Sequence, residues 1–132
     1  MINSNAFDYI NVLDATADAT WVRNEILANN IANATTPGYK REDIDFENEL
    51  RRALGNMKYK SLDEKVANLR GTKVKGRSFK DSVNYSYRLD ENNVDPEQEN
   101  IELVSNQLKY QGVIAGLTSE FQNLQTAMKA PS

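Results

Sequence analysis

A chain of 132 residues has room for one compact domain. With 39% hydrophobic residues, 27% charged residues and a mean hydropathy of −0.67, it is too polar for a stout core and too apolar for a disordered chain. It contains neither cysteine nor histidine. Disulfide frameworks, thiolate metal sites, the usual zinc sites and Ser-His-Asp or Cys-His catalysis are therefore excluded, and neither an enzyme nor a cofactor-binding protein is expected.

From the N-terminus, Ala6, Ile10, Leu13, Ala17, Thr20, Asn24, Leu27, Ile31 and Ala34 recur at alternating spacings of four and three. This heptad-like stripe predicts a helix over residues 1–35 that packs on another helix, with small and polar seam positions implying close approach. An ordinary amphipathic helix of a small bundle has similar spacing. The opening residues show no basic segment followed by an apolar run, so a chain that leaves the cytoplasm is expected to do so without a cleaved secretory signal.

The stretch ANNIANATTPGYKR, residues 28–41, ends the stripe. Asparagine is a weak helix former, Pro37 disfavours helix at Thr36, and Gly38 permits a positive φ, so the helix is expected to stop near Ala34 and turn. Asp43, Asp45, Glu47 and Glu49 then alternate with Ile44 and Phe46. A calcium loop starting at Asp43 would need glycine at its sixth position and glutamate at its twelfth, where Asn48 and Leu54 stand instead. Phe46, Leu50, Ala53 and Leu54 suggest a short helix.

Residues 51–80 carry ten Lys or Arg against two acids, a net of +8, whereas the rest of the chain nets −11. With Gly55, Gly71 and Gly76 it reads as a basic loop or flexible insert that meets an acidic partner surface or, less in keeping with its few aromatics, a nucleic acid. Val83, Tyr85, Tyr87 and Leu89 alternate with polar residues, the pattern of a short strand whose partner is sought around Tyr39 to Ile44.

A second stripe, Leu103, Gln107, Tyr110, Ile114, Leu117, Phe121, Leu124 and Met128, predicts a C-terminal helix over 95–132. Asp95 suits its N-cap, Pro96 its first turn, and Gln98 the third position of a capping box. Glu97, Glu99 and Glu102 favour the positive end of its dipole and Lys129 the negative end. The fold expected is mainly α: long terminal helices pairing as an antiparallel coiled-coil-like hairpin around a small polar middle, residues 36–94, with a turn, a short helix, a basic loop and a short β element. Leu13, Leu27, Ile31, Leu103, Tyr110, Ile114, Leu117, Phe121 and Leu124 are the candidate packing and assembly residues.

The segment at 28–41 resembles the N-terminal signature of bacterial flagellar axial proteins, roughly ANNxANxxTxGYK. Ala28, Asn29, Asn30, Ile31, Ala32, Asn33, Thr36, Gly38, Tyr39 and Lys40 carry the match, with Pro37 inside it. NNVDPEQENIELVSNQLKYQ, residues 92–111, is similar to the corresponding end of a proximal rod protein. The sibling proximal rod protein FlgC shares the first signature but typically reads PNVNxVxEM before its last helix. The resemblance implies a structural subunit exported through the flagellar type III apparatus that polymerises helically into the periplasmic rod of the basal body. Implied partners are further copies, FlgC, the FliE adaptor, the MS-ring and the export apparatus; a helical adaptor or a nucleic-acid binder are the alternatives from other classes.

Overall fold

The computed structural model describes residues 5–55, 60–69, 74–81 and 89–129. Two long helices dominate it: α1, Asn5–Ala32, of 28 residues, and α4, Pro96–Met128, of 33. At ~1.5 Å per residue they run roughly 40 and 50 Å. They lie antiparallel and form the largest contact in the molecule, with Asn30 beside Glu99 at one end and Leu13 against Gly116 further along.

The seam of α1 is the expected one. Ile10, Ala17, Thr20 and Leu27 are buried and Leu13, Asn24 and Ile31 half-buried; Ala34, also buried, lies just past the helix end, and the side chain of Ala6 lies outside what the structure describes. Threonine can sit there because its hydroxyl bonds its own helix, Thr20 Oγ1 donating to the carbonyls of Thr16 and Ala17, both at 2.9 Å. The second face of α1 takes the middle segment. There α2, Glu47–Leu54, and α3, Leu62–Ala67, flank a two-stranded antiparallel sheet of β1, Glu42–Asp45, and β2, Arg77–Lys80. Val66 and Leu69 are buried, and Tyr9 of α1 donates to Asp63 of α3 at 2.7 Å.

In the sheet Glu42 faces Lys80 and Asp45 faces Arg77, and Lys80 Nζ lies 3.1 Å from Glu42. A side chain on Gly76 would collide with the Ile44 side chain unless that moved, so glycine suits the close entry of β2 beside β1. The basic stretch 51–80 is thus not wholly a loop: it contains the end of α2, α3 and β2. The strand expected from Val83, Tyr85 and Tyr87 lies outside the described residues. The expected partner segment does form a strand, paired with 77–80.

The stripe of α4 is rotated relative to expectation. Leu103, Tyr110 and Leu117 are half-buried and Leu124 buried, but Ile114, Phe121 and Met128 are 38%, 57% and 70% exposed, and Gln107 is exposed as well. Glu99, Asn106, Val113 and Glu120, one residue earlier in each repeat, take the other inward places. Polar partners turn the helix this way. Asn106 Nδ2 donates to the Thr20 carbonyl and to Asn24 Oδ1, both at 2.8 Å, which fixes the hairpin's register.

Asp95 begins α4 as expected, its carboxylate accepting from the backbone N–H of Glu97 at 3.0 Å and of Gln98 at 3.4 Å, with Pro96 in the first turn. The Gln98 side chain donates forward to Glu102 at 3.3 Å instead of back toward the cap. Asp95→Ala is expected to lower stability by about 1 kcal/mol, read as an earlier urea midpoint at unchanged slope.

Candidate functional site: a polar clasp at the hairpin base

The two segments singled out by their motifs meet at one end of the hairpin. Asn30 is fully buried, and each of its hydrogen-bonding positions is occupied. Nδ2 donates to the Glu42 carbonyl at 2.7 Å and to Glu99 Oε2 at 3.0 Å. Oδ1 accepts from the Glu42 N–H and from the Tyr39 hydroxyl, both at 3.1 Å. One amide thereby pairs with β1 as a neighbouring strand would, and at the same time holds α4.

The other asparagines close the end of α1. Asn29 Nδ2 donates to the Tyr39 hydroxyl at 3.0 Å; Asn33 Nδ2 donates to the Asn29 carbonyl at 2.8 Å; Thr36 Oγ1 donates to Asn33 Oδ1 at 3.2 Å. The chain leaves helix after Ala32 and turns at Gly38, whose φ of 71° suits glycine and whose N–H reaches the Asp90 carbonyl at 2.7 Å. Buried Asn92 answers from the C-terminal side. Its Nδ2 lies within 2.8 to 3.0 Å of the carbonyls of Asn33, Ala34 and Thr36, and its Oδ1 accepts from the Val94 N–H at 2.8 Å. Asn93 bridges the Arg41 N–H at 2.7 Å and the Asp81 carbonyl at 3.0 Å, and Lys40 Nζ donates to the Glu91 carbonyl at 2.5 Å.

Beside these amides lies a charge cluster. Asp43 accepts from Arg23 Nε at 2.8 Å and Nη2 at 3.1 Å, and from Arg41 Nη2 at 2.8 Å; Arg23 also reaches Glu102 at 3.0 Å. Arg41 Nε donates to Glu99, a carboxylate only 1% exposed. Burial pushes the Asp43 carboxyl up, but the bonds from Arg23 and Arg41 outweigh it and hold the group below the ordinary carboxylate range. Burial likewise pulls Arg41 down, and Glu99 and Asp43 more than restore it, so both arginines stay charged.

The motif residues divide accordingly. Asn29, Asn30, Asn33, Thr36, Tyr39 and Lys40 are inside the clasp or at its edge, whereas Ala28, Ala32 and Pro37 are exposed. Of the packing candidates, Leu27 and Leu124 are buried and Ile114 and Phe121 are exposed. Arg23, Arg41, Asp43, Glu99 and Asn92 were missed as site residues. The nearest signal was charge: acids clustered at 43–49 and 97–102 within a hairpin whose α1 seam already held a polar Asn24.

Residues 11–40, which carry the α1 seam and the asparagine turn, match the family described as flagella basal body rod protein. Across most of the chain, the flagellar basal body rod protein FlgB of Cereibacter sphaeroides is 40% identical over 108 residues, covering 81% of this chain and 83% of its own. The chain belongs to the FlgB family of flagellar basal body rod proteins. Among other FlgB relatives, that of Bacillus subtilis is 30% identical over 107 residues and that of Salmonella typhimurium 32% over 114, each covering 81% of this chain. Within the FlgB family, then, the chain is a structural rod subunit built on a helical hairpin. Among the described residues no helix is long and apolar enough to cross a membrane.

Proposed function

We propose that this chain is a non-enzymatic subunit of the proximal rod of the flagellar basal body, polymerising helically into the shaft that carries torque from the membrane-embedded base to the distal rod and hook. The similarity to FlgB relatives over 81% of the chain carries this reading. The clasp supports a structural role, because Asp43, Glu99 and Glu102 are bound by Arg23 and Arg41 and so tie α1, β1 and α4 together. In this reading segments 1–35 and 95–132 form the coiled-coil core of the rod and 36–94 the part outside it. Leu13, Leu27, Ile31, Leu103, Tyr110, Leu117 and Leu124 hold the hairpin, while Ile114 and Phe121 face neighbours. The neighbours are further copies, FlgC, the FliE adaptor, the MS-ring and the type III export apparatus, through which the chain reaches the periplasmic rod without a cleaved signal.

Cells lacking this chain are expected to be non-motile and to yield no complete hook–basal bodies, and a tagged copy is expected to restore swimming and to copurify with the basal body. Complete rods in the deletion strain would refute the assignment.

A further inference from the structure

The side of α4 turned away from α1 is a surface the hairpin leaves unused. Ile101, Val104 and Leu108 on it are 64%, 57% and 64% exposed. The same three-and-four spacing continues through Gly112, Ala115 and Ser119, and nothing lies within 4 Å of a Cβ built on Gly112. Gly116, on the inner side, by contrast meets Leu13 at 3.8 Å. Beyond Glu102 the charged groups of α4 are Lys109, paired with Glu47, and Glu120, half-buried toward α1. The outer face is therefore free of charge from Ile101 to the helix end, in a chain of which 27% is charged. A long exposed helix face with large apolar groups and no charge has the composition of an interface centre.

We infer that this face receives a second copy of the same chain, α4 against α4, parallel and displaced along the axis by about eleven residues, or roughly 16 Å at ~1.5 Å per residue. Charge selects the occupant. The outward row of α1 carries exposed Asp14, Asp18 and Glu25, and the middle segment carries exposed Arg51, Arg52 and Arg77. Either surface laid on Ile101 and Leu108 takes charges out of water against a face that offers none of opposite sign. The outer face of α4 matches itself without that cost. Size sets the offset, since Gly112, Ala115 and Ser119 stand eleven positions beyond Ile101, Val104 and Leu108. Eleven residues is close to three full turns, so the displaced copy presents its small side chains to the neighbour's large ones on the same face. The parallel sense rests on the rod reading, because an antiparallel α4 pair closes at two copies, whereas a displaced parallel pair leaves both ends open for the next subunit.

The chain's lack of cysteine makes the test direct. Leu108→Cys combined with Ser119→Cys places two thiols on exposed positions that are too far apart to bond within one helix. Oxidation of basal bodies isolated from cells making this variant is expected to give a ladder of dimers, trimers and larger species on a non-reducing gel. Asp14→Cys with Glu25→Cys, equally spaced on α1, is expected to stay monomeric, and both variants should keep the parent urea midpoint. A product that stops at dimers, monomers alone, or an equal ladder from the α1 control overturns the proposal. Copurification with basal bodies but no ladder removes this interface and leaves the rod reading standing, whereas failure to copurify removes the rod reading itself.

Discussion

Asn30→Ala is expected to destabilise the fold by about 3 kcal/mol, because four groups lose a partner together. The Glu42 N–H and carbonyl, the Tyr39 hydroxyl and the Glu99 carboxylate all converge on this amide, and Glu99 is too deeply buried to be hydrated in its place. Each buried orphan costs about 1–3 kcal/mol, and water reaching the half-exposed Tyr39 and Glu42 reduces the sum. Asn29→Ala, which removes an exposed bond to the same hydroxyl, is expected to cost less than about 1 kcal/mol. Urea denaturation of the three proteins checks this, and equal midpoints for the Asn29 and Asn30 variants would show that the buried amide is not the anchor. Swimming is expected to fail for Asn30→Ala first, since β1 and α4 lose their common tether.

The second large effect belongs to Asp43. Asp43→Ala leaves Arg23 and Arg41 side by side, with Glu102 and Glu99 as their remaining carboxylates, and is expected to cost about 2–3 kcal/mol, below the ~3–5 kcal/mol for breaking a fully buried pair, because both arginines keep one partner. The same group gives the fold an acid limit. Its folded-state carboxyl titrates below the ordinary value of about 3.9, so its contribution is complete above that pH and is lost as pH falls through the lower folded value. Parent stability is therefore expected to drop below about pH 4, and the Asp43→Ala variant to show a shallower drop over the same interval, as followed by urea midpoints between about pH 2 and 6. Parallel curves for the two proteins would assign the acid limit to other carboxylates.

The helical hairpin was legible because its signals are local. The seam of α1 repeats at helical spacing from Ile10 to Ile31, and Asp95 with Pro96 marks the start of α4 through groups a few bonds apart. The turn at Gly38 was legible for the same reason, a positive φ that asparagine-rich chain and proline lead into. The role of those asparagines was not. Asn29, Asn30 and Asn33 read as weak helix formers that end α1, and Asn33 does bond Asn29 four residues back, yet Asn30 reaches Glu99, 69 residues away in sequence.

The orientation of α4 shows where local pattern stops. Apolar residues at 101, 104 and 108 lie on one side and at 114, 121 and 128 on another, and a period of seven fits either row equally well. By itself the sequence determined the two helices, the Asp95 cap of α4, the turn between α1 and the middle, and the absence of histidine or cysteine chemistry. Tertiary structure alone decided which row of α4 meets α1. That choice depends on Glu99 finding Asn30 and Arg41, and the Asn106 Nδ2 group finding Thr20 and Asn24, because burying these polar groups of α4 costs least where distant parts of the chain supply hydrogen bonds to them.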